Sequence, residues 1–149
     1  MLRQSQLHWF QLGGFLLAAS LLGCGGSEDD LANVTGTVKM DGKPLEDASV
    51  QFVPKAGGRP SYGRTDAQGA YTLESTDTVA GAKVGMHRVR ISTLKYPGED
   101  EEGRPIPGRP ETVPPAFHGE TTTLEREVQA GENVHDFELD STAEVPPSE

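Results

Sequence analysis

From residue 33 onward the chain alternates apolar and polar positions with a period of two, interrupted every few residues by Gly, Pro, Asn or Asp. That pattern predicts short half-buried strands separated by turns. In "VTGTVKM" (34–40), Val34, Val38 and Met40 share one face with Gly36 between them. Asp41-Gly42 is a turn dipeptide and Pro44 ends pairing there. In "ASVQFVP" (48–54), Val50 and Phe52 point one way, Ser49 and Gln51 the other. "YGRTDAQGAYTLES" (62–75) reads as two strands about a turn at Asp66-Ala67-Gln68-Gly69. There Asp66 bonds the turn backbone, Gly69 takes positive φ, and Tyr71 and Leu73 face inward. "GAKVGMHRVRISTL" (81–94) holds the clearest strand, with Val89 and Ile91 alternating with Arg88 and Arg90. "TTTLEREV" (121–128) and "NVHDFELD" (133–140) are expected to close the domain as a hairpin around Ala130-Gly131. Leu124 and Val128 share one face, Phe137 and Leu139 another. The sum is about seven strands and no helix, and each sheet must hide one face, so two packed sheets are expected.

The first 23 residues follow a different pattern. Arg3 and the amino terminus supply positive charge, no acid precedes Glu28, and Leu12 to Leu22 ("LGGFLLAASLL") is almost wholly apolar. This is the layout of a secretory signal peptide, and it is shorter than the ~20 apolar residues a spanning helix requires. It closes on Gly23 and Cys24, the single cysteine of the chain. Leu21-Leu22-Gly23-Cys24 resembles the lipobox of bacterial lipoproteins. That resemblance implies cleavage after Gly23 and a diacylglyceryl thioether on Cys24, with further acylation of the new amine. One acyl chain gives reversible membrane binding, whereas two or three give a stable anchor. With Cys24 so used, no thiol remains for a disulfide or a zinc cluster. Residues 24–32 then read as a polar tether. Gly25, in place of Asp, implies sorting to the outer membrane, so the expected location is the cell envelope, on its periplasmic or surface face.

Charge narrows the partners. Without residues 1–23, Lys plus Arg falls from 13 to 12 and Asp plus Glu stays at 23, a net charge near −11. Such a chain repels nucleic acid. The remaining 126 residues make one domain. Its seven strands are expected over 33–140, and 141–149 is expected to be a disordered tail. Within the domain, "YPGEDEEGRPIPGRPETVPPA" (96–116) carries six prolines and the acid run Glu99 to Glu102. A loop of this length is functional or disordered; the composition favours disorder.

Candidate chemistry is sparse. No G-x-S-x-G elbow is present, and His87, His118 and His135 lie far apart in sequence, with no helical His pair for a metalloprotease. "GRPSYGRT" (58–65) imitates a phosphate loop with Arg64 in place of Lys, but a strand follows where a helix must open. Arg88 and Arg90 are expected to face Glu125, Glu127, Asp136 or Glu138 across strands. No catalytic, cofactor-binding or metal-ligating residue is assigned.

Several runs taken in order resemble a known group. "VTGTVKMDGKPLEDASVQFVP", "GRTDAQGAYTL", "GAKVGMHRVRI", "VPPAF" and "GENVHDFEL" are similar to carboxypeptidase regulatory-like domains, within the transthyretin-like (prealbumin-like) sandwiches. The resemblance spans about 33–140 and implies a seven-stranded antiparallel Greek-key β-sandwich. It also implies a non-catalytic structural or interaction module, bound to an envelope protein or glycan. A second expectation is a ligand-binding accessory domain for peptide, glycan or cation, using the 96–116 loop. A third, less favoured, is an enzyme like the hydroxyisourate hydrolases of the same fold. Their convergent His and Arg would fall to His87, Arg88 and Arg90, but their Y-R-G-S terminus is missing. His135 departs from the group, which carries an aromatic or aliphatic residue there.

Overall fold

The computed structural model describes residues 30–76 and 78–145, without the side chain of Thr121. The strands in chain order are β1 (Leu31–Met40), β2 (Lys43–Pro44), β3 (Ser49–Pro54), β4 (Ser61–Arg64), β5 (Ala70–Thr72), β6 (Glu74–Thr76) and β7 (Val79–Ala80). They continue as β8 (Ala82–Lys83), β9 (Gly85–Ser92), β10 (Gly98–Glu99), β11 (Pro105–Ile106), β12 (Glu125–Val128), β13 (Glu132–Val134) and β14 (Phe137–Leu139). Two 3₁₀ turns, Pro115–Phe117 and Gly119–Thr121, precede β12, and no α-helix occurs among the described residues.

One sheet is antiparallel throughout, in the order β12-β9-β3-β4-β6-β7. The other is built on β1. Strands β8, β5 and β2 pair with it antiparallel, and β13 and β14 pair with it parallel. The apolar positions read from the alternation supply the filling between them: Val34 and Val38 from β1, Val50 and Phe52 from β3, Val89 and Ile91 from β9, with Leu73, Val128, Phe137 and Leu139. Each such side chain contributes roughly 1.5–3 kcal/mol when fully buried. Gly36 is buried in β1 because the chain passes close by; a Cβ there would stand 1.9 Å from the His135 carbonyl oxygen.

The turn chemistry follows the sequence. Asp41 and Gly42 both take positive φ (51° and 77°), the type I′ geometry of a two-residue hairpin, and join β1 to β2. Asp66 Oδ1 accepts from the amides of Gln68 and Ala70, both at 2.9 Å, and Gly69 has φ 76°.

Several expectations need correction. The segment about Ala130-Gly131 is not a hairpin: β12 pairs with β9 in one sheet and β13 with β1 in the other, so the chain crosses between sheets. The Asn133 side chain fixes the crossing, accepting from Gln129 N at 2.9 Å and donating to Gln129 O at 2.8 Å. Because the chain crosses there, the last strands run parallel to the first. The run 70–76 changes sheets at Leu73, β5 lying on β1 and β6 on β4. The domain starts two residues before the expected boundary, since Leu31 and Ala32 pair with Lys83 and Ala82, and Ala32 is buried. The 96–116 segment is built, not disordered: β10 and β11 form a hairpin, Lys95 pairs with Arg109, and Val113 and Ala116 are buried. At the far end, Ser141 N donates to Asp41 Oδ1 at 3.0 Å, so the tail begins tied to the first turn.

Candidate functional site

Cys24 and Gly23 lie outside the described residues, as do the rest of the leader and most of the tether. No helix among the described residues is long and apolar enough to cross a membrane.

The 96–116 segment stands on two carboxylates. After β9 ends at Ser92, the chain leaves the sheet and returns at Glu111, which accepts from the Ser92 hydroxyl, Thr93 N (2.9 Å), Thr93 Oγ1 (2.8 Å), Thr112 N (3.0 Å) and Val113 N (2.9 Å). Burial alone would raise its pKa; the Ser92 hydroxyl and the Thr93 and Val113 amides outweigh that and hold it at about 2. Asp47 is the second post. Its carboxylate takes Arg64 at 2.5 Å, Lys95 at 3.0 Å and Arg109 at 3.5 Å, and Arg109 also donates to the Asp47 and Thr93 carbonyls. Hydrogen bonds from Lys95 and Arg64 lower the Asp47 pKa. Beyond this base the β10–β11 hairpin is an exposed arm. Tyr96 is 79% exposed and Ile106 40%, with Glu99, Glu101 and Glu102 also in solvent. Asp100 caps the tip by accepting Arg104 N at 2.8 Å and Arg104 Nε at 2.5 Å. Chemically this is a firmly based arm that presents an aromatic ring and acids, with no nucleophile.

Of the outward arginines of β9, Arg88 stands opposite Glu125 across the strands as expected, but neither arginine forms its ion pair with the expected acids. Arg88 reaches Glu120 at 3.4 Å and Arg90 bonds the same carboxylate, while Glu125 takes Lys55 at 2.7 Å. The reason is register: β12 begins at Glu125 opposite Arg88, so Arg90 lies beyond its end and beside the 3₁₀ turn that carries Glu120. Asp136 and Glu138 instead bond β1 and its turn, at Thr37 N (2.8 Å) and Gly42 N (2.6 Å).

The inward face of the same strand holds His87, 1% exposed. Its Nδ1 donates to Gly85 O at 2.9 Å, and Nε2 is buried without a partner. His135 stands on the facing sheet, in the break between β13 and β14, and its Nε2 is likewise buried and unpartnered. The Phe52 ring packs near both, with centroids 5.7 Å from His87 and 5.9 Å from His135. Tyr71 donates its hydroxyl to the His135 carbonyl at 2.7 Å. Arg126 completes the group: it lies opposite His87 in the β12–β9 ladder and its guanidinium carbon is 4.7 Å from the Phe137 ring centroid. Its inward position was readable from parity, since Leu124, Arg126 and Val128 fall on one side of the strand, but a charge on an apolar face did not stand out. His118 lies elsewhere, between the two 3₁₀ turns. Among the described residues no group of three His, Cys, Asp or Glu is placed to hold a metal ion.

The phosphate-loop imitation is extended chain, with Ser61–Arg64 forming β4 where a helix would have to begin. A shallow concavity of about 450 Å³ lies beside it, lined by Tyr62, Arg64, Asp66, Tyr71, Thr72 and Glu74.

No family profile and no curated protein matches the chain. A solved structure, the 9R-lipoxygenase from Cyanothece PCC8801, aligns with 74% of this chain at 13% identity and a TM-score of 0.39. The chain spans 16% of that protein's length.

Proposed function

We propose that this is a lipid-anchored, non-catalytic β-sandwich lipoprotein of the bacterial cell envelope, of the carboxypeptidase regulatory-like, prealbumin-like group. In this reading Gly23 precedes the cleavage point and Cys24 carries the lipid. The domain then acts as a structural or interaction module. The observation that carries the reading is the apolar run ending in Leu21-Leu22-Gly23-Cys24, seven residues ahead of the first strand at Leu31. Seven extended residues reach at most ~25 Å, so the anchor would keep the β-domain beside the bilayer. The ordered series of strand motifs supports the seven-stranded Greek-key assignment, and Gly25 supports the outer membrane. A non-catalytic role is supported by the alternation in β9, which buries His87 while sending Arg88 and Arg90 to the other face. The test is incorporation of labelled palmitate into the expressed protein. Label that disappears in Cys24→Ala, together with loss of the protein from the membrane fraction, is the expected result. Equal partitioning of both forms into the soluble fraction would remove the basis for the assignment.

The arm favours a second reading, an accessory domain that binds a peptide or glycan through the 96–116 segment. The supporting observation is the contrast between a base fixed by Glu111 and Asp47 and a solvent-exposed Tyr96. Deleting residues 98–106 together with Tyr96→Ala should abolish peptide or glycan binding while the urea midpoint stays unchanged.

A further inference from the structure

We propose that the His87–Phe52–His135 seam is an acid-sensitive closure between the two sheets. It is shut while both imidazoles are neutral, and it opens locally at the β12–β13 crossing when they take up protons. The geometry carries this. His87 comes from one sheet and His135 from the other, and one phenyl ring packs near both. Each imidazole keeps a buried Nε2 lone pair that accepts nothing. A proton added there becomes a buried N–H with no acceptor, which is the costly state for a polar group.

The surroundings do not supply a counter-charge to His87. On β3 its register partner is Pro54, and the neighbouring Lys55 is bonded outward to Glu125. On β12 it faces Arg126, a cation, whereas Glu125 and Glu127 point to solvent. On the facing sheet the inward positions of β1 are Val34, Gly36 and Val38, which carry no charge, and β5 turns in Tyr71, whose phenol is committed to the His135 carbonyl. Asp136, beside His135, favours a charged ring, as does a backbone contact with Glu127, but both are outweighed by burial and by Arg126. Burial likewise lowers the His87 pKa, against the help of the Gly85 carbonyl, and the nearby His135 lowers it further. The open form titrates near 6.5 and the closed form below it. The closed form is therefore favoured in full above pH 6.5 and loses ground as pH falls toward the closed-state values. The limit is about tenfold per pH unit for each histidine that stays neutral.

The test is amide hydrogen exchange of the full chain in detergent micelles between pH 7.5 and 5.0, corrected for intrinsic rates. Protection at residues 85–87, 126–128 and 131–137 should fall by up to about tenfold per unit below pH 6.5 for each histidine, with a smaller fall at 50–52. His135→Phe keeps an aromatic ring in the stack and should halve the logarithmic slope; His87→Phe/His135→Phe should flatten it. Pairing this with imidazole NMR of the unaltered protein keeps the proposal open to refutation if the double variant does not fold. Protection that holds steady to pH 5.0, a slope that survives in His135→Phe, or His87 titrating near 6.5 in the folded protein would each overturn it.

Discussion

At the base of the long segment, Glu111 accepts hydrogen bonds from five donors, while across the seam His87 Nε2 and His135 Nε2 accept from none. Both places take polar atoms out of water, and they do so under different constraints. Residues 93–113 carry several prolines and little regular pairing, so the backbone cannot satisfy itself, and a charged acceptor gathers the stray donors. The seam is held by packing. An imidazole can shed its charge when buried, and its bare lone pair is a smaller penalty than an unpaired carboxylate would be. One region is therefore fixed by electrostatics and the other by shape, and each should fail to a different perturbation.

The largest effect should come from shape. Phe52→Ala removes the ring shared by both histidines and Phe137, and should destabilise the fold by about 3–5 kcal/mol in urea unfolding. A loss below about 1 kcal/mol would mean that the seam is not held by packing. Gly36→Ala attacks the same seam from β1. Its Cβ would sit 1.9 Å from the His135 carbonyl oxygen, so that break must move, and overpacking of this kind costs about 3 kcal/mol. The Tyr71–His135 hydrogen bond should weaken with it, measurable as faster exchange across residues 131–137.

Electrostatics should decide the other region. Glu111→Gln keeps the shape and removes the charge, and should cost about 1–3 kcal/mol. Exchange should quicken across 93–113 but not in β3 or β9. The pH dependence has a defined sign. The Glu111 pKa is 4.5 when unperturbed and about 2 in the folded protein, so its stabilisation is complete above pH 4.5 and drains away between there and pH 2. The histidine effect, by contrast, sets in as pH falls below 6.5. Urea midpoints of the wild type and Glu111→Gln should thus differ at pH 5 and converge toward pH 2. A constant difference over that range would mean that the carboxylate charge is not what holds the base.

How far each region was legible in the sequence follows the same division. Period-two alternation is local, and of the apolar positions it grouped on shared faces, Val34, Val38, Val50, Phe52, Val89, Ile91, Val128, Phe137 and Leu139 are buried, while Met40 and Leu124 are partly buried against them. The turns at Asp41-Gly42 and Asp66–Gly69 were legible because their chemistry lies within four residues. What was not legible depends on partners far along the chain. Ala130-Gly131 looks the same in a hairpin as in a crossing between sheets, and Asn133, which fixes the crossing, reads as one more polar strand residue. The base of the 96–116 segment depends on Asp47, some sixty residues upstream of Arg109. A proline-rich acidic run gives no hint that its flanks are pinned. The two histidines were noted as residues but not as neighbours, because alternation assigns a face and leaves the facing sheet unspecified.

Arg126 is where the two kinds of support meet, and its removal should give the smallest and most diagnostic effect. The guanidinium packs over Phe137, a contact worth about 0.5–1 kcal/mol, and its charge also lowers the His135 pKa, second to burial. Arg126→Met keeps apolar bulk on the ring and removes the charge. At pH 7.5, with the seam histidines neutral, the ring contact and the exposed hydrogen bond to the Glu125 carbonyl (2.8 Å) are lost, and stability should fall by about 1 kcal/mol. At pH 5 a second consequence opposes the first. Without the neighbouring cation the folded-state pKa of His135 rises toward 6.5, so less stability is lost on acidification. The gap between wild type and Arg126→Met should therefore narrow from pH 7.5 to 5, as read from paired urea curves. A gap that stays constant or widens on acidification would show that the Arg126 charge is not what lowers the His135 pKa, and the division between shape and electrostatics would have to be redrawn there.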